Sequence, residues 1–463
     1  MRVVALIVGL LAIHTRAEHP TSDDVDHLRS SEGSSGAAIN RDDHGFCSYR
    51  MSDTRKQDTR TPDDVPETPP DRTNPRVAEL SRANAAFSFK LYRSLVSHRG
   101  PEANVFLSPL SISTSFAMTK LGACGDTLRQ IMQVFEFESI KEKTSSQIHM
   151  FFSKLNDRLY RKANKSAQLV AANRLFGDKS VAFNPSYQEF SERYYGAKLL
   201  PLNFADKTNE SLFTINNWVA EKTEGKVKNV IPPDGITPET QLVIVNAIFF
   251  KGLWKQKFDE YYTYLTDFHP ALGRSCNVSM MEKKGRFRHA RLESEGLQIL
   301  ELPYHGDAFS IILLLPTRRY QLAEIEARMS PDSMNRWLKA MREQQVFVSL
   351  PRFKLEDSFS LKEHLHDLGL IDIFSAQHAD LSGMIVPDSN HRGLYASDAY
   401  HKAFIEVNEA GSEAGAASAI VFLARSSQPN MEEFHADQPF VMLIREVALN
   451  SVLFLGRVTQ PCN

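Results

Sequence analysis

"EAGSEAGAASAIVFLARSSQPN", residues Glu409 to Asn430, decides how the rest of the chain is read. Eight of the nine residues from Gly411 to Ala419 are Gly, Ala or Ser, after which the stretch turns apolar and presents Arg425 and Ser426. If the segment is extended, Ser412, Ala414, Ala416, Ser418, Ile420 and Phe422 share one face, and Glu413, Gly415, Ala417, Ala419 and Val421 share the other. The charge of Glu413 falls on the second face. A ribbon with one small, uncharged face is suited to entering a sheet, because a charge on that face would be left unpaired in the interior. A surface linker or an Ala-rich helix is the competing reading of the stretch taken alone.

The chain around it is long, at 463 residues, with 42% apolar residues and a formal charge of -2. That is enough for a large core, and it leaves any electrostatic recognition to local patterning. Met1 to Ala17 carry an early Arg2, an apolar run from Val3 to Ile13 and a small residue at a possible cleavage point, which predicts a secretory signal peptide over residues 1–17. The run is too short to span a bilayer, and no later apolar stretch is long enough. A soluble, extracellular protein without membrane insertion is expected. Residues 18–75 are rich in Asp, Ser, Thr, Pro and Arg and predict a mobile N-terminal extension. The folded domain is expected over residues 76–463. In a secreted chain the four cysteines, Cys47, Cys124, Cys276 and Cys462, read as two disulfides, and spacing alone allows three pairings. No Cys/His cluster suggests a metal.

From Arg76 to Val96 the apolar residues Val77, Leu80, Ala83, Phe87 and Leu91 recur every three or four positions, which predicts a helix. Helical patterns dominate the next hundred or so residues. Apolar and alternating runs follow at 240–250, 309–316, 345–353 and near the end of the chain, and their β-branched content favours strands. Helices first and mostly strands later, without βαβ alternation, give an α+β class with large antiparallel sheets.

No nucleophile elbow, zinc-protease motif, phosphate loop or dinucleotide fingerprint occurs, and the fifteen histidines are scattered. An enzyme is therefore not expected, and no catalytic residue is assigned. One basic stripe does stand out in "SKLNDRLYRKANKS": Lys154, Arg158, Arg161 and Lys165 fall on one helical face, with Lys162 beside them. Ile148, Phe152, Leu155 and Leu159 form an apolar stripe on the same helix. A solvated face is the plain alternative, but five cations opposed by Asp157 alone favour a polyanion site. Secretion points away from nucleic acid and toward a sulfated glycosaminoglycan, whose sulfates suit the two parallel hydrogen bonds of a guanidinium.

"FHADQPFVMLIRE" (Phe434 to Glu446) resembles the signature of the serpin family, and "NEAGSEAGAASA" (Asn408 to Ala419) is similar to the hinge of its inhibitory members. "FLSPLSISTSFAMTKLGA" (Phe106 to Ala123), "AANRLFGDKS" (Ala171 to Ser180) and "VNAIFFKGLWKQKF" (Val245 to Phe258) extend the resemblance over nearly the whole chain beyond residue 76. "TKLGAC", "LYRKANKS" and "EVNEAGSEA", with Arg-Ser at the loop tip, are similar to the heparin-activated branch of the family. The resemblance implies the serpin fold: three β-sheets, about nine helices and an exposed reactive loop above a five-stranded sheet. It implies a secreted, monomeric plasma inhibitor of thrombin, factor Xa and other trypsin-like coagulation proteases. Arg425 would be the bait, and Ser426 the residue after the scissile bond. Glu409, Gly411, Ser412, Ala414 and Ala416 would form the hinge that inserts into the sheet after attack. A serpin-fold carrier or storage protein that does not inhibit is the alternative, against which the small hinge residues speak.

The same resemblance assigns Arg76, Lys143, Lys154, Arg158, Arg161, Lys162 and Lys165 to heparin or heparan sulfate, acting as allosteric activator and bridge, with no other cofactor. It implies the disulfides Cys47 to Cys124 and Cys276 to Cys462. Asn164, Asn209 and Asn277 open glycosylation sequons, of which the first follows the family pattern. Departures from mammalian relatives are Pro75 and Ala78 beside Arg76, Asp157 in place of a cysteine, Gly415 in place of the commoner Ala, and Glu282 and Lys284 at the protease exosite.

Overall fold

The structure is a computed structural model that describes residues 40–41, 46–48, 75–140, 147–386, 393–412 and 431–462, with backbone alone at 40, 41, 48 and 161–166. The described residues lie in one compact unit, Ala38–Asn463. Among them are nine α-helices and three hydrogen-bonded sheets of nine, five and two strands, so the α+β class and the family fold hold. The first long helix, Pro75–Arg99, buries Val77, Leu80, Ala83, Phe87 and Leu91, the residues that the spacing placed on one face. Among the described residues no helix is long and apolar enough to cross a membrane.

The five-stranded sheet positions the site. Its order is Phe353–Ser360, Asp398–Val407, Leu242–Gly252, Ala167–Asp178 and Leu200–Leu202. Nearly every residue of Leu242–Gly252 is buried, as expected of a central strand covered on both faces, and this is why its sequence is apolar apart from Asn246 and Lys251. Its two long neighbours differ in direction. Ala167–Asp178 pairs with it antiparallel, whereas Asp398–Val407 pairs with it parallel, from Asp398 opposite Val243 to Phe404 opposite Phe249. Parallel ladders are slanted and slightly weaker per residue. The sheet therefore has a weaker seam at its centre, between Leu242–Gly252 and Asp398–Val407.

The nine-stranded sheet begins at the edge strand Glu432–His435 and includes Phe440–Glu446 and Ser451–Val458. The segment from Glu413 to Asn430 thus joins the end of the seam in one sheet to an edge of the other.

Cys47 bonds Cys124 with Cα atoms 5.3 Å apart, and Cys276 bonds Cys462 with Cα atoms 6.1 Å apart. Phe46 and Cys47 are buried, and the Phe46 ring meets Phe190 edge-on at 5.5 Å. Composition alone placed these two residues in the extension, yet an aromatic ring next to a disulfide gives this short piece enough apolar surface to join the core.

Candidate functional site

At the upper end of the seam the chain turns through Asn408–Ser412. The amide of Ala410 donates to Asn408 Oδ1 at 3.1 Å, and the amide of Asn408 donates to the Gly411 carbonyl at 2.8 Å, so the turn is tied to itself. It is also tied to the end of the central strand: Trp254 N–H donates to Ala410 O at 2.9 Å, and Ser412 N–H donates to Gly252 O at 2.6 Å. Gly411 has φ +146°, and a Cβ there would sit 1.9 Å from the Gly252 carbonyl oxygen. Only a residue without a side chain fits. Glu409 is buried and accepts from Arg352 Nε at 2.6 Å and from the Thr263 hydroxyl.

Ser412 follows, fully buried, with its Oγ 3.0 Å from the Tyr304 hydroxyl. Burial pushes that phenol's pKa up, so it stays protonated and available for the hydrogen bond. Tyr304 in turn stacks on Trp254 at 4.6 Å. The small-residue ribbon therefore enters the described structure with its first inward residue already under the sheet's upper end. Ala414, Ala416, Arg425 and Ser426 lie outside the described residues.

Midway along the seam a buried polar cluster joins its two strands. Ser108 N–H donates to His401 Nε2 at 3.1 Å, which leaves Nδ1 to carry the proton and donate to Asn246 Oδ1 at 2.5 Å. Asn246 Nδ2 donates to Ser111 Oγ at 2.8 Å, Ser115 Oγ at 3.1 Å and Asn173 Oδ1 at 2.7 Å. His401 is fully buried, and this burial, with a smaller effect from Arg99, holds its pKa down to about 3. The imidazole is neutral, as its accepting Nε2 requires. Sequence reasoning missed this cluster; the signal available was the serine-rich "SPLSISTS" at 108–115, a helix start whose hydroxyls are all buried.

The basic stripe lies on the helix Gln147–Ser166, docked by the buried Ile148, Phe152, Leu155 and Leu159. Lys154 is exposed, and Arg158 is partly covered because its Nη2 lies 3.2 Å from Oε1 of the fully buried Glu446. Arg161, Lys162 and Lys165 continue the helix, with side chains outside the description, as is that of Asn164; Lys143 lies outside the described residues. Arg76 opens the helix Pro75–Arg99, which packs against the basic helix, and it pairs with Glu79 at 2.5 Å. The structure thus brings Arg76, Lys154 and Arg158 onto adjoining helices and adds two carboxylates, Glu79 and Glu446, that the stripe did not reveal.

Asn209 and Asn277 are exposed. Glu282 accepts from the Tyr264 hydroxyl at 2.6 Å and from Ser349 Oγ at 3.2 Å, while Lys284 is exposed. Among the described residues, one side-chain cluster has the makings of a metal site, His98 with His364 and Asp367.

Residues 82–461 match the model of the serpin (serine protease inhibitor) family. The chain is 54% identical to mouse (Mus musculus) antithrombin-III over 85% of its own length and 84% of the relative's. It is 51% identical to human antithrombin-III over 90% and 89% of the two lengths. Among solved structures it is similar to uncleaved ovalbumin, with TM-score 0.74 and 31% identity over 82% of this chain and 100% of that one. It is also similar to human thyroxine-binding globulin complexed with its hormone, with TM-score 0.75 and 27% identity over 84% and 100%. The chain belongs to the serpin family of serine protease inhibitors, and its work is inhibition of proteases rather than catalysis.

Proposed function

We propose that this protein is a secreted, monomeric inhibitor of coagulation proteases, thrombin and factor Xa foremost, that traps its target by loop insertion and is activated by heparin or heparan sulfate. The observation that carries the proposal is Ser412: it is buried and bonded at the upper end of a parallel seam, and an extended continuation of the sequence would put Ala414 and Ala416 on its face. A carrier with this fold has no need of a hinge so poor in side chains.

In this proposal a trypsin-like protease accepts Arg425 in its acidic pocket, and its catalytic serine attacks the Arg425 carbonyl. The Arg425–Ser426 bond breaks, Ser426 leaves with a free amine, and Arg425 remains esterified to the protease. The freed segment then descends from Ser412 into the seam. Because Asp398–Val407 runs up to the hinge and Leu242–Gly252 runs parallel to it, a descending strand is antiparallel to both. One slanted parallel ladder is exchanged for two antiparallel ones, and the hydrogen bond between His401 and Asn246 must open on the way. The gain pulls the tethered protease along the sheet and distorts it before water can release the ester.

Heparin would gather on Lys154, Arg158 and the cations that follow. A sulfate that takes Arg158 breaks its ion pair with the buried Glu446 carboxylate, which keeps the Leu449 amide as a donor, so heparin binding and the packing of the basic helix are energetically linked. The test is to mix the protein with thrombin, with and without heparin, on a denaturing gel. A covalent complex that forms faster with heparin supports the proposal. Cleaved inhibitor without a complex, or no reaction, favours the carrier alternative.

A further inference from the structure

At the far end of the helix that begins near Arg76, three metal-ligand side chains meet. His98 lies in the last turn of Pro75–Arg99, and His364 and Asp367 lie three residues apart on the short helix Lys362–Asp367. One donor atom of each lies within 4.8 Å of the other two. His364 is buried at 8% exposure, whereas the side chains of His98 and Asp367 are 43% and 44% exposed. The group is thus an opening with a fixed floor and two movable walls.

Its supporting bonds are those that orient ligands. His98 Nδ1 sits 2.8 Å from the Ser94 carbonyl and must donate to it, which leaves the lone pair on Nε2, 3.5 Å from Asp367 Oδ2. The Ser94 hydroxyl lies 3.0 Å from His364 Nδ1 and 3.1 Å from Asp367 Oδ2, bracing both. Arg99, the nearby cation, is engaged with Asp357 at 2.6 Å.

We propose that His98, His364 and Asp367 bind a divalent transition metal of the zinc class, with water as a fourth ligand. Two imidazoles and one carboxylate suit zinc and its neighbours, whereas calcium and magnesium require oxygen-rich shells. Tetrahedral zinc with bonds of about 2.1 Å needs donors about 3.4 Å apart. Closing from the present spread calls for movement of the two exposed side chains only. An ion there ties Pro75–Arg99 to the helix that follows the edge strand Phe353–Ser360 of the five-stranded sheet, so it braces that edge from below.

The experiment is calorimetric titration of chelator-treated full-length protein with zinc chloride, together with cobalt absorption spectra. The expected result is one bound ion, a raised thermal unfolding midpoint and a tetrahedral cobalt band. His98→Ala and Asp367→Asn, both at exposed positions, should each weaken binding by at least about tenfold and remove the band. Magnesium or calcium at the same concentration should have no effect, and heparin affinity should be unchanged. No zinc binding in the wild type, or binding unaltered in both variants, overturns the proposal.

Discussion

The seam between Leu242–Gly252 and Asp398–Val407 is closed in two different ways along its length. At the upper end the closure is made by backbone: the turn Asn408–Ser412 pairs with Gly252–Trp254, and its fit depends on the absence of a side chain at Gly411 and on a small one at Ser412. In the middle it is made by side chains, His401 with Asn246, held by serines from the helix Pro109–Lys120 and by Asn173. The upper end is therefore sensitive to size, and the middle to protonation. The first residue of the loop can occupy the upper end while the middle stays shut, and full insertion has to open both.

The largest effect should come from placing a charge on the inserting face. Ala414→Arg has to bury an unpaired guanidinium, at a cost of several kcal/mol, so it should convert the inhibitor into a substrate. Gels of the thrombin reaction would show cleaved inhibitor in place of complex; persistent complex would mean that this face does not enter the sheet. Gly411→Ala attacks the upper closure, where its Cβ would meet the Gly252 oxygen at 1.9 Å. At roughly 1–3 kcal/mol of strain the hinge should be driven out, raising the basal inhibition rate and shrinking the stimulation by heparin. Unchanged rates would place the control elsewhere.

The middle closure should respond to acid. The folded-state pKa of His401 is about 3, below the ordinary imidazole value of 6.5, so protons favour the unfolded chain. Its contribution is complete above about pH 6.5 and is lost as pH falls toward 3, by about 2 kcal/mol at pH 5. Urea unfolding at pH 7.5 and pH 5 should show a larger loss in the wild type than in His401→Asn; His149, His289 and His364, shifted in the same direction, are common to both proteins. Equal losses would remove His401 from the account. The smallest effect lies away from the seam: Lys154→Gln should lower the salt slope of heparin binding by about one and leave the basal inhibition rate alone. A slope that does not change would make the stripe a solvated face.

Much of this was legible in the sequence because local periodicity carries it. The apolar stripes of Pro75–Arg99 and Gln147–Ser166 and the run of Leu242–Phe250, apolar but for Asn246, read directly as two docked helices and a strand. The small face of the hinge was legible from alternation, and Ser412 sits where that alternation put it. What escaped was contact between residues far apart in the chain. Nothing near Arg158 announces Glu446, which lies 288 residues later, and nothing near His401 announces Asn246, 155 residues earlier. His98 and His364 likewise read as scattered until two helices bring them together.

The central claim is that the segment beginning at Ser412 can become a strand of the seam. It is tested most directly by cutting the reactive loop at Arg425–Ser426 and comparing the thermal unfolding of cleaved and intact chains. Insertion adds a strand with two antiparallel ladders, so the cleaved protein should unfold at a temperature well above that of the intact one. An equal or lower midpoint after cleavage would contradict the account.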